Sequence, residues 1–180
     1  MKLLFVTTRF PYPPIKGDQV VSYHRLRILS RRHQITLLSF YDHPDELKYV
    51  DALRDFCDSI HVVHRSKLES LLNMAIGLIG TTPLQVLYYK SVKFQRELFK
   101  LINEYHFDMV HGVLLRLSPY FESLNVHGQP ILLEIVDSMQ LNLERNLILE
   151  RGWKRILWQE EFRRMKKYEP RIIKIGRAHV

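Results

Sequence analysis

The 180-residue sequence predicts an α/β domain: a Rossmann-like parallel sheet with helices on both faces. Two observations carry that prediction. Short apolar runs bounded by turn signals alternate with stretches of helical periodicity, the pattern of strand–helix–strand units. The opening run, KLLFVTT, is apolar almost without interruption, as a strand covered on both faces must be.

Taken in order, Leu3–Thr7 reads as the first strand. Asp18 is placed to N-cap the helix that follows, where Val20, Tyr23, Leu26 and Leu29 recur at near-helical spacing. Ile35–Phe40 is the second strand. Pro44 then opens a helix whose inner face is Leu47, Val50, Leu53 and Cys57. Ile60–Val63 is the third strand, and Ser66 to Ile79 a rather apolar helix. After a Gly-Thr-Thr-Pro break comes an amphipathic helix with Phe94, Leu98, Leu101 and Tyr105 on one face. Phe107–Leu114 and Ile131–Val136 are strands four and five, followed by helices at roughly 140–150 and 153–168. Pro170 is expected to end the last helix, with RIIK starting another strand. No internal repeat or linker divides the sequence, so one domain is expected.

Composition narrows the function. One cysteine, Cys57, excludes an internal disulfide and a cysteine-based metal cluster, and favours a reducing compartment. The N-terminus lacks a long apolar region and a small-residue cleavage site, so it reads as a strand and not a signal peptide. The longest apolar stretch, Leu71 to Tyr89, is broken by Gly77, Gly80, two threonines and Pro83, which excludes a spanning helix there. A net charge of +8 points to anionic partners: phosphates, nucleic acid or an anionic membrane face.

The loop RFPYPPIKGD leaves the first strand at its carboxyl end, where ligands of open α/β sheets sit. Gly17 lets backbone approach a ligand, the next helix offers free N–H groups, and Lys16 adds charge. The same residues also make an ordinary strand-to-helix turn with Asp18 as cap. The GxGxxG and GxxxxGK[ST] fingerprints are absent, which argues against NAD and ATP. His111 falls near the end of strand four and Asp137 just past strand five, each able to serve as a base toward an acceptor hydroxyl. A lone histidine at a strand end is more often a structural hydrogen-bonder, and Asp137 equally suits an N-cap. The remaining histidines show no metal-ligand spacing, so no metal is expected. The last long helix aligns Trp158, Phe162 and Met165, and residues 151–174 hold nine Lys or Arg against three Glu. Such a helix suits either an anionic membrane surface or packing on its own domain. No nucleic-acid-binding motif accompanies the charge.

The order RFPYPPIKGD…SYHRLRILSRRHQITLLSF, FYDHPDEL, TTPLQVLYYKS, FDMVH, IVDSMQLNLERN and EEFRRMKKYE resembles the N-terminal domain of two-domain (GT-B type) family 4 glycosyltransferases, and more narrowly the exopolysaccharide-associated sugar transferases. The likeness spans roughly residues 1–173. It implies an acceptor-side domain that faces a second, donor-binding domain across a cleft. The partners it implies are a nucleotide sugar, as co-substrate and not as resident cofactor, and a glycan or lipid-linked acceptor. It implies a cytoplasmic location, peripheral on the inner face of the cell membrane. His111 matches the family's strand-four histidine. Asp137 stands where many members have a histidine, and Asp18 where many have a second glycine. Without the donor domain, the chain is expected to be inactive alone. Two other readings stay open: a non-catalytic α/β binding module at anionic membrane, and the N-domain of a sugar-nucleotide epimerase. The last six residues, IGRAHV, are those encoded by one reading frame of a widely used sequencing adapter. Native sequence is therefore expected to end near Lys174, with 175–180 a non-native tail.

Overall fold

A computed structural model describes residues 1–125, 130–136, 138–149 and 151–175. Strands β1 (Lys2–Thr7), β2 (Gln34–Tyr41), β3 (Ser59–His64), β4 (Met109–Val113) and β5 (Ile131–Glu134) form one parallel sheet in the order β3-β2-β1-β4-β5. The helices are α1 (Gly17–Leu29), α2 (Lys67–Gly77), α3 (Leu84–Tyr88), α4 (Val92–Glu104), α5 (Ser118–Asn125), α6 (Met139–Leu149) and α7 (Trp153–Ile175). Side chains alternate across a strand, so the two sheet faces gather separate cores. Leu4, Val6, Leu38, Phe40 and Val110 pack with Phe94, Leu98 and Leu101 of α4 and with α5. Phe5, Ile35, Leu37 and Val113 pack on the other face with Leu26 of α1, Leu53 and Cys57. The arrangement is Rossmann-like, with β1 in the middle and helices on both faces, as the alternating pattern predicts.

Several local expectations are corrected. Asp18 is not the cap of α1: the N-cap position is Lys16, and Asp18 lies inside the first turn, bonded to Arg9. Gln19 does the local tying, accepting from the Lys16 N–H at 3.1 Å and donating to the Phe10 carbonyl at 2.9 Å. The segment opened by Pro44 forms two tighter 3-10 turns, Pro44–Tyr49 and Asp51–Leu53, and not one α-helix. Leu53 and Cys57 are buried as expected, but Leu47 faces solvent. Val20 and Tyr105 are likewise exposed.

The largest correction concerns Pro170. It does not end the last helix, and RIIK forms no strand; α7 runs through to Ile175. A proline removes one backbone bond but leaves its own φ helical. The helix persists because Met165, Tyr168 and Ile172, before and after it, sink into a third core with Met139, Leu143, Val86 and Leu115. Trp158 and Phe162 pack against that core too, so the predicted aromatic stripe faces the domain's own interior. Helix α7 also closes the ends of three others. Buried Glu161 accepts from the Leu84 and Gln85 N–H groups at the start of α3, and Glu169 from Gln140 N–H at the start of α6. Arg164 donates to the Gly77 and Leu78 carbonyls at the end of α2, each at 2.7 Å. Among the described residues no helix is long and apolar enough to cross a membrane.

Candidate functional site

Three arginines leave the carboxyl ends of three strands and converge. Arg9 follows β1, Arg65 follows β3, and Arg116 follows β4 by way of a short turn, Leu115–Leu117. The turn starts with Leu114 at φ 84°, a positive-φ backbone that costs a non-glycine residue roughly 1–3 kcal/mol. That bend sends Leu115 into the third core and Arg116 toward Tyr89.

The arginines meet at Tyr88 and Tyr89. The Arg65 guanidinium lies 4.4 Å from the Tyr88 ring centre and 5.2 Å from that of Tyr89; Arg116 lies 5.3 Å from Tyr89. Asp42 binds Arg65 at 2.6 Å, and Asp18 binds Arg9 at 3.1 Å. Arg116 donates to neutral Gln85 Oε1 at 3.2 Å. Burial opposes the charges of Arg9 and Arg65, but both pKa values end up raised. Tyr89 and Asp18 outweigh it for Arg9, and Asp42 with the two tyrosines for Arg65. Each arginine keeps one buried nitrogen without an acceptor: Arg9 Nε, Arg65 Nη1 and Arg116 Nε. Buried donors of this kind are rare and favour an acceptor such as a phosphate or hydroxyl oxygen.

Arg9, Arg116 and Tyr89 form part of the wall of a cleft of about 840 Å³ between α2, α3, α6 and α7. That volume lies within the range of small-molecule sites. Most of the remaining wall is apolar, with Gln85, Asn142 and Asn146 adding amides and Lys154 a further cation.

The predicted site residues are distributed unevenly around this cleft. Asp18 reaches its edge through Arg9. Lys16 is exposed at the start of α1, and a Cβ on Gly17 would meet nothing within 4 Å, so no packing demands glycine there. Asp137 lies outside the described residues, as does the tail beyond Ile175. His111 sits in the middle of β4, not at its end, on the sheet face that holds Phe5 and α1. Its Nε2 is 3.2 Å from Glu134 Oε2, and Glu134 Oε1 accepts from Arg25 at 2.7 Å. Sequence reasoning missed Arg9, Arg65 and Arg116, although a signal was there. In TTRF, VVHRS and VLLRL an arginine follows close behind each apolar run.

The Arg25–Glu134–His111 chain predicts a pH effect. Burial lowers the His111 pKa, and Glu134 only partly offsets it. Below the ordinary imidazole value of about 6.5 the unfolded chain therefore binds more protons than the folded one, and stability is lost as the pH is lowered. Burial would raise the Glu134 pKa, but Arg25 and His111 hold it below its usual value, so its contribution is lost at still lower pH. Urea midpoints measured between about pH 7.5 and 5.5 should drop, and drop less in His111→Gln. An equal drop in both proteins would remove His111 as the source.

No family model matches this chain, and no curated protein matches it. Among solved structures, it is similar to the C-terminal domain of the PF1911 hydrogenase from Pyrococcus furiosus, with a TM-score of 0.51 and 15% identity over 74% of this chain and 90% of that one. At that identity the likeness is one of fold: a parallel α/β sheet flanked by helices.

Proposed function

We propose that this chain is the acceptor-side domain of a nucleotide-sugar-dependent glycosyltransferase serving exopolysaccharide synthesis. The observation that carries the reading is the cleft at the carboxyl edge of the sheet, into which Arg9 and Arg116 bring cations from two strand ends. Ligands of open parallel sheets bind at that edge. The order of motifs from RFPYPPIKGD to EEFRRMKKYE supports the same assignment.

In this reading the cleft holds the acceptor and a second domain brings the nucleotide sugar. An acceptor hydroxyl attacks the anomeric carbon, the new C–O bond forms, and the bond from that carbon to the diphosphate oxygen breaks. The hydroxyl proton passes to a base, for which Asp137 is the candidate. Cationic side chains and helix N-termini stabilise the departing diphosphate without a metal. The partners are the nucleotide sugar and its acceptor, at the inner face of a membrane and without nucleic acid.

Reading the source DNA past the codon for Lys174 tests this directly. An open frame through a second α/β domain supports it, and the restored gene product should then consume nucleotide sugar. A stop codon there overturns it in favour of a binding module. In the restored enzyme, Asp137→Ala should reduce turnover much more than it changes the melting temperature; unchanged turnover would remove Asp137 from the site.

A further inference from the structure

The cleft carries more positive charge than it balances. Its lining holds Arg9, Arg116 and Lys154 against one carboxylate, Glu161. Glu161 is buried and both its oxygens are taken, one by the Leu84 N–H at 2.8 Å and the other by the Gln85 N–H at 3.0 Å. Arg9 is matched by Asp18 at 3.1 Å, and Lys154 is exposed, so water screens its charge. Arg116 is half-buried and has no carboxylate partner among the described residues. It donates to the neutral Gln85 amide at 3.2 Å, and its buried Nε meets no acceptor. An uncompensated guanidinium favours an anionic ligand, and its planar fork matches a carboxylate.

The rest of the wall indicates what should carry that anion. Tyr88, Trp153 and Trp158 supply aromatic surface, while Gln85, Asn142 and Asn146 supply amides. Asn142 and Asn146 lie one turn apart on α6 and are both exposed, so their amides can exchange water for a ligand. A pyranose ring uses both kinds of group: its apolar C–H face packs on an aromatic ring, and its hydroxyls bond to amides. A neutral sugar would leave Arg116 unpaired, and a free inorganic anion would leave the aromatic wall unused.

We propose that this cleft takes an acidic sugar, a hexuronate unit of the acceptor glycan, with its carboxylate at Arg116, its ring against Trp158 and its hydroxyls toward Asn142 and Asn146. This rests on the acceptor-side role proposed above and names the class of acceptor. The carboxylate anchors and does not react; a ring hydroxyl remains the nucleophile. One uncompensated guanidinium matches the single charge of a carboxylate better than the charge of about −1.5 to −2 on a phosphate monoester.

Trp153 and Trp158 are the chain's two tryptophans, and both line the cleft, so intrinsic fluorescence reports occupancy. The 180-residue chain should be titrated with the methyl glycosides of glucuronate, galacturonate and mannuronate, each beside its neutral hexose counterpart, and with glucose-6-phosphate and acetate. At least one uronide should bind about tenfold or more tightly than its neutral counterpart and than glucose-6-phosphate, with acetate silent at the same concentration. Arg116→Gln should abolish that preference, Arg116→Lys should keep part of it, and neither should alter the affinity for the neutral hexoside. Replacing exposed Asn142 and Asn146 together by alanine should weaken acidic and neutral sugars alike. Absence of any uronide preference, or a preference that survives Arg116→Gln, overturns the acidic sugar and leaves the transferase role to the sugar-transfer assay of the restored gene. Tighter binding of glucose-6-phosphate overturns the carboxylate in favour of a phosphate. Failure of the sugar-transfer assay while a uronide is still selected overturns the transferase role alone.

Discussion

Replacing Arg164 by methionine is expected to destabilise the domain by about 3 kcal/mol, the usual cost of removing one partner from a buried charged network. The guanidinium is 5% exposed and binds in three directions. Nη1 and Nη2 hold the Gly77 and Leu78 carbonyls, Nη1 also reaches Thr82 O at 3.3 Å, and Nε meets Glu160 at 2.8 Å. The last carbonyls of a helix have no partner within it, and a cation there also opposes the negative end of the helix dipole. Methionine keeps much of the volume and removes every donor, so the loss reports the bonds and not a cavity. Arg164→Lys should recover less than half, because an ammonium cannot span both carbonyls as a planar fork does. Urea denaturation measures it. A loss below about 1 kcal/mol would show that the α2 terminus is held by other contacts.

Gly112→Ala is expected to cost about 2 kcal/mol or more, through overpacking. Gly112 lies in β4, and a Cβ there would fall 1.9 Å from Phe121 Cε2 and 2.2 Å from Cζ. Phe121 is itself buried on that face, among Leu4, Val110, Leu117 and Leu124, and has little room to retreat. Adding Phe121→Leu to Gly112→Ala should therefore cost less than the sum of the two changes, since the second relieves the clash made by the first. Chemical denaturation of the four-protein cycle gives the coupling. Additive losses would place the Gly112 effect in the strand backbone and not in the ring contact.

Both predictions depend on partners distant in sequence, and that is where sequence reading gave out. The five strands and the inner face of α4 were legible because apolar runs bounded by turns and the 3.6-residue helical period are local patterns; Phe94, Leu98 and Leu101 are fully buried as their spacing requires. Asp18 was misread because its aspartate looks like a cap until Arg9, nine residues back, is seen to claim it. Pro170 was misread because a local helix stop is overruled when the residues on both sides of it are buried in a core with α6.

The order of apolar runs and turns determined by itself that this chain forms a parallel α/β sheet covered on both faces, since burying those runs leaves little other choice. Only the tertiary structure decided where the cations go. Nothing local relates Arg9, Arg65 and Arg116; the parallel sheet puts the carboxyl ends of β1, β3 and β4 on one edge, and Tyr88 and Tyr89 give the three guanidinium groups a common surface.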